Sequence, residues 1–163
     1  MIYTDTYSGI ITVEKNLVTK KFNENAINQG LMEREKKWLL HLIDFDRVPK
    51  IIKTYDNIIE MTYVGERITK ENIPIDWEKQ IEYIYKKLKE FNCSHNDIKP
   101  EELLVKENKI YIVDFGWSTE TTKPIPANWP REIGDKFAYG VHNFDDLYSL
   151  EKSINYILNK TND

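Results

Sequence analysis

The chain has 163 residues, 23 of them basic and 27 acidic, with a net charge of −4 and both signs interspersed. That length suits a single domain with its own core, and the charge pattern offers no basic stripe for nucleic acid and no polybasic patch for a membrane. One cysteine, Cys93, rules out an internal disulfide framework. No apolar run approaches the ~20 residues of a membrane span, and no signal-peptide pattern opens the chain, so the expected location is the cytoplasm.

Residues 1–23 are strand-like, and Ile10–Val13 and Leu17–Phe22 flank a Glu-Lys-Asn turn, which predicts a hairpin. Side chains alternate across a strand, so Val18, Lys20 and Phe22 share one face and Thr19 and Lys21 the other. A lysine between two apolar residues on a buried face requires an anionic partner, because an unpaired buried ammonium is costly. A helix over about 28–42 follows, with Leu31, Trp38, Leu39 and Leu42 at helical spacing and Glu35 inside that stripe. Pairing Lys20 with Glu35 satisfies both orphan charges; Lys21 is the alternative.

Val48–Ile52 and Asn57–Gly65 add two strands, for a sheet of four or five. The clearest helix covers 76–92, with Asp76 as N-cap and Trp77, Ile81, Ile84, Tyr85, Leu88 and Phe91 on one apolar face. Leu103–Val105 and Ile110–Val113, joined by the polar turn Lys106–Lys109, predict a second hairpin. Residues 117–143 carry Pro124, Pro126, Pro130, Gly134 and Gly140 without periodicity and read as a long irregular segment; 144–158 read as a last helix. His41 and His142 stand apart from any metal-type cluster and read as ordinary surface or core residues.

Residues 95–116, HNDIKPEELLVKENKIYIVDFG, carry the chemistry. The second hairpin has an acidic residue at each open end, which brings Asp97 and Asp114 to one rim. Phosphoryl transfer calls for that arrangement. Its transition state spreads charge over three oxygens, so catalysis is mostly positioning and charge neutralisation. One carboxylate orients the attacking hydroxyl and takes its proton, while the other holds a divalent cation.

His95-x-Asp97-x-Lys99-Pro100 resembles the catalytic loop of the protein-kinase superfamily, and Ile110–Gly116 resembles its metal-binding strand and DFG turn. The Lys20–Glu35 pair is similar to the kinase ion pair between strand three and helix C, which sets the lysine on the nucleotide phosphates. Met61-Thr62-Tyr63-Val64 resembles the last small-lobe strand and the hinge. The resemblance implies that backbone groups of Thr62 and Val64 meet the adenine edge and that Met61 guards the deeper pocket. Asp146-Leu-Tyr-Ser-Leu resembles the start of helix F, whose aspartate braces the catalytic loop. The implied fold is α+β: one two-lobed, kinase-like domain over 1–163. A small antiparallel sheet lobe with one helix takes about 1–64, a hinge about 62–66, and a reduced, mainly helical lobe about 67–163.

Four features depart from the kinase pattern. No G-x-G-x-x-G is present, and Gly9 is the only glycine before residue 30, so the loop over the phosphates must be short or differently built. Glu102 stands where an asparagine metal ligand is expected; it supplies oxygen but adds negative charge. Asn96 replaces the arginine that senses a phosphorylated activation loop. No A-P-E sequence follows, and the chain ends just after helix F, which places it near small atypical kinases such as the RIO type and leaves room for a protein partner in place of the missing helices.

The resemblance implies a Ser/Thr-type phosphotransferase using ATP and Mg²⁺ or Mn²⁺, with a protein or small-molecule hydroxyl as acceptor. Asp97 would position and deprotonate that hydroxyl and Lys99 would neutralise the transferred group. Asp114 and Glu102 would hold metal, and Lys20, braced by Glu35, would hold the α/β-phosphates. A nucleotide-binding pseudokinase acting as an interaction module is the alternative, favoured by the missing glycine loop and by Glu102. Transfer of a nucleotide rather than a phosphate would use the same groups.

Overall fold

The computed structural model describes residues 1–123, 129 and 145–159. Strands β1 (Ile2–Thr6), β2 (Gly9–Glu14) and β3 (Leu17–Phe22) form a meander. With β4 (Ile51–Tyr55) and β5 (Ile58–Thr62) they make one antiparallel sheet in the order β1-β2-β3-β5-β4. Two-residue connections, Tyr7–Ser8, Lys15–Asn16 and Asp56–Asn57, keep the register tight. Lys15 and Asp56 take positive φ of 55° and 49°, as sharp hairpin turns require. Strand β4 starts at Ile51 rather than at the expected Val48, because Pro49 has no N–H for a ladder; the pairing then bulges between Ile51 and Lys53.

Two helices join β3 to β4: α1 (Glu24–Asn28) and α2 (Leu31–His41). The sequence predicts one helix over 28–42, and two local features divide it. Asn23 Oδ1 accepts the Ala26 N–H at 2.8 Å and starts a helix early, while Gly30 breaks it at φ 75°, a left-handed conformation that glycine adopts freely. The α2 stripe then buries Leu31, Met32, Glu35, Trp38 and Leu39, in one continuous core with Phe22, Ile59 and Met61 of the sheet.

The second half centres on α3 (Trp77–Glu90), which packs against α4 (Asp146–Asn159). Ile81, Ile84, Leu88, Leu150 and Ile154 are all 3 % exposed or less, so truncating any of them to alanine should cost about 2–5 kcal/mol. Short strands surround this pair: β6 (Glu66–Arg67) with β8 (Leu103–Lys106) and β9 (Lys109–Ile112), and β7 (Cys93–Ser94) with β10 (Thr119–Glu120). The β8–β9 hairpin turns on Glu107 and Asn108, with φ of 50° and 64°.

Asp76 occupies the N-cap position of α3 but does not cap with its side chain. Its backbone, at φ −96° and ψ 29°, is not extended, and its Oδ1 accepts from Gln80 Nε2 at 2.8 Å instead. Gln80, buried within the apolar face, also donates to Asn108 O at 3.0 Å. Its Oε1 accepts from Ile110 N at 2.8 Å and from Arg47 at 2.9 Å. This network locks α3 to the β8–β9 hairpin and to the loop before β4. The expected irregular segment beyond 123, including Pro124, Pro126, Pro130, Gly134 and Gly140, lies outside the described residues except for Trp129, as do His142 and Phe144. His41 is exposed, with Nε2 2.7 Å from Phe91 O.

Candidate active site

The sheet presents Lys20 on its inner face, 4 % exposed, and leaves Lys21 in solvent, as strand alternation requires. Lys20 Nζ lies 2.8 Å from Glu35 Oε2 of α2 and 3.4 Å from Asp114 Oδ1, so the pair expected from two orphan charges is formed and a third residue joins it. Burial pushes the Lys20 ammonium down, but the Asp114 and Glu35 carboxylates outweigh that and raise its pKa. Burial pushes Glu35 above the usual carboxylate range against the pull of Lys20. Burial would raise Asp114 too, yet Lys20 and then Lys99 hold it down at about 2.

The loop carrying His95 and Asp97 is fixed from below. Asp146, at the start of α4, accepts the backbone N–H of His95 at 2.7 Å and of Asn96 at 3.0 Å, one per carboxylate oxygen. His95 is fully buried. Its Nδ1 accepts the Asp97 N–H at 3.1 Å, which assigns the ring proton to Nε2 and a donated bond to Val113 O at 2.8 Å. Its ring also meets Phe115 edge-on at 4.9 Å. Asn96 takes φ 72° and donates through Nδ2 to Trp117 O and Thr119 Oγ1, each at 2.9 Å.

Lys99 Nζ sits between Asp97 Oδ2 at 3.2 Å and Glu102 Oε1 at 3.4 Å. Burial opposes its charge, but Glu102 and Asp97 raise its pKa. Burial raises Asp97 as well, with Lys99 pulling the other way, and raises Glu102 well above the carboxylate range. Glu102 belongs to a 3-10 turn (Pro100–Glu102), and its carbonyl accepts the Val113 N–H at 3.1 Å, one residue before Asp114. The hairpin thus carries both acidic ends to one rim.

Four carboxylates, Glu35, Asp97, Glu102 and Asp114, face two ammonium groups, Lys20 and Lys99. Fully ionised, the cluster carries two excess negative charges, a deficit that a hard divalent cation with oxygen ligands would meet. Among the described residues, no three His, Cys, Asp or Glu side chains are disposed to hold a metal ion by themselves. Oxygens of a bound phosphate would have to complete its shell.

The expected hinge is distributed differently from the acidic rim. Met61 is buried in β5 at 6 % exposure. Thr62 donates its N–H to Lys50 O and accepts the Lys50 N–H at its hydroxyl oxygen, both at 2.9 Å. The Val64 N–H has no partner among the described residues. The turn between β1 and β2, where the sequence leads one to expect the loop over the phosphates, is only the two residues Tyr7–Ser8. Gly9 follows it at φ 147°, where a Cβ would stand 1.9 Å from Lys21 O. Sequence reasoning assigns no role to Arg34, Trp117 or Trp129, although they meet beside the turn that follows Asp114, where Arg34 reaches Gly116 O. Arg34 neighbours Glu35 off the apolar stripe, and no spacing rule marks it.

A five-stranded sheet whose third strand offers a lysine to a helical glutamate, above a loop and hairpin presenting Asp97 and Asp114, defines a protein-kinase-like domain. Residues 8–129, most of the chain, match the family described as RIO1, RIO domain. The chain belongs to this RIO family, an atypical branch of the kinase-like proteins. The RIO-type serine/threonine-protein kinase Rio1 of Methanocaldococcus jannaschii is 26 % identical over 129 residues, 74 % of this chain and 44 % of the relative. The chain therefore spans less than half the length of that relative. Among the described residues, no helix is long and apolar enough to cross a membrane.

Proposed function

We propose that the domain is an ATP- and divalent-cation-dependent phosphotransferase acting on a hydroxyl acceptor. The convergence of Lys20–Glu35–Asp114 with Asp97–Lys99–Glu102 on one rim is the observation that carries this reading. Lys20, held by Glu35, binds the phosphates that stay with the nucleotide. Asp97 orients the acceptor hydroxyl and takes its proton as the new O–P bond forms and the bond to the ADP oxygen breaks. Its raised pKa, from burial, moves it toward the pH at which a base is effective. Lys99 offsets charge on the transferred group. Asp114 and Glu102 are the residues that would hold Mg²⁺ or Mn²⁺, and the cation supplies neutralisation of phosphate charge. The Thr62 carbonyl and the Val64 backbone meet the adenine edge, and Met61 closes the pocket behind it. The acceptor is a protein or small-molecule hydroxyl, and the domain works in the cytoplasm, where a free buried thiol such as Cys93 is at home.

A second reading, a nucleotide-binding module without turnover, draws on Glu102. A third carboxylate on the rim, in contact with the lysine meant for the transferred group, would compete with phosphate for Lys99. Intact-mass measurement after incubation with ATP and Mg²⁺ or Mn²⁺ separates the possibilities. A gain of phosphate that disappears in Asp97→Asn supports transfer. A gain of AMP supports nucleotide transfer. No gain, with ATP bound, supports the module.

A further inference from the structure

Arg34 is partly buried on α2, one residue before Glu35, and uses two nitrogens on two backbone carbonyls. Nη1 donates to Gly116 O and Nη2 to Gln29 O, each at 2.6 Å. Its guanidinium is flanked by the rings of Trp129 and Trp117, with centroids at 4.4 and 5.4 Å. Those rings meet edge to face at 5.3 Å, and Trp129 Nε1 donates to Trp117 O at 2.9 Å. From the next turn of α2, Trp38 Nε1 donates to Ser118 O at 3.2 Å. The residues immediately after Asp114 are therefore held by side chains of the helix that carries Glu35.

Asp114 needs such support. It takes φ 70°, uncommon for a residue with a side chain, and a conformation of that kind persists where its surroundings over-determine it. The planar fork of Arg34 suits two carbonyls and two rings together, whereas a lysine could satisfy only part of that set.

We propose that Arg34 is a positioning residue that pins the Asp114–Gly116 turn to α2, keeping the Asp114 carboxylate in register with Lys20 and with a metal-bound nucleotide. The assignment rests on the proposed nucleotide site. Loss of Arg34 depopulates the competent turn, and a ligand that needs that turn binds more weakly in proportion to the lost population. A ligand that touches only the hinge is unaffected.

The test is titration of the full chain with Mg·ATP and, separately, with adenosine, which lacks phosphates. Each variant is first checked for folding by circular dichroism. Arg34→Ala should weaken Mg·ATP about tenfold or more, the scale of a lost hydrogen bond to a charged group, and change adenosine affinity less than about twofold. Arg34→Lys should fall between wild type and alanine, and it carries the test if the alanine variant does not fold. Unchanged Mg·ATP affinity in both variants overturns the assignment, and so does an equal loss for the two ligands, the mark of a merely structural role. A wild-type chain that binds adenosine but gains nothing from phosphates and Mg²⁺ overturns the nucleotide-phosphate site and the Arg34 role together. Wild-type Mg·ATP binding with silent variants overturns Arg34 alone.

Discussion

Replacing Lys20 with methionine strips Glu35, 2 % exposed, of its 2.8 Å partner while roughly keeping the volume. Removing one member of a buried ion pair typically costs about 3–5 kcal/mol, a large part of the ~5–15 kcal/mol that holds a domain together. The cost should depend on pH in a definite sense. In the variant, burial and Asp114 both push the Glu35 pKa up with no Lys20 to oppose them, so its folded value rises further above the ordinary 4.5. The folded state then keeps a proton that the unfolded state has released. Stability accordingly falls as pH rises from the unfolded value through the folded one, and is level above it. Urea unfolding at pH 5 and pH 8 should show a gap from wild type that is wider at pH 8. Lys20→Met combined with Glu35→Met should recover most of the stability, since apolar replacement of a buried pair is often neutral or better, yet leave Mg·ATP binding impaired. A Lys20→Met cost below about 1 kcal/mol and equal at both pH values would match an exposed pair and refute the buried one.

Asp97→Asn should abolish transfer and leave nucleotide affinity nearly intact, whereas Asp114→Asn should lose both; equal losses of affinity on titration would reverse the roles given to them. Glu102→Asn should lower activity or shift the preference between Mg²⁺ and Mn²⁺ if Glu102 is a working ligand, and should raise a weak activity if Glu102 silences the site; no response in steady-state assays would place it outside the metal shell. Asp146→Ala leaves two buried N–H groups without acceptors, so denaturant unfolding should register a loss of about 3–6 kcal/mol at the usual ~1.5–3 per hydrogen bond to a charged group. Asp114 adds an acid-side effect. Its pKa of about 2, against 3.8 unfolded, gives stability that is present above pH 3.8 and lost as pH falls through about 2, and Lys20→Met should shrink that loss in an acid titration of unfolding, with Lys99 sustaining the remainder.

Much of the rim was legible because its signals are local. Alternation along Leu17–Phe22 turned Lys20 inward, the 3.6-residue stripe carried Glu35, and a four-residue polar turn marked the hairpin between Asp97 and Asp114. The α1–α2 break was less visible, since the Asn23 cap and the left-handed Gly30 override a helical pattern that runs across them. Asp76 followed the residue-type preference for an N-cap, but its partner is a glutamine side chain one turn along. Gln80 lay hidden on an apolar face because three of its four partners come from the distant segments around Arg47, Asn108 and Ile110. Arg34 was hidden for the same reason. Its bond to Gly116 joins residues 82 positions apart, and backbone carbonyls have no residue type to betray them.

The central claim is that Asp114, Glu102 and Lys20 form a phosphate site that works through a divalent cation. Thermal unfolding with ATP, in the presence and absence of Mg²⁺ or Mn²⁺, tests it most directly. At a free nucleotide concentration of 100 Kd the folded state should gain about 2.7 kcal/mol, and the gain should require the cation, because phosphates and the acidic rim otherwise repel. Stabilisation of the same size without the cation, or none with it at millimolar ATP, would contradict the claim.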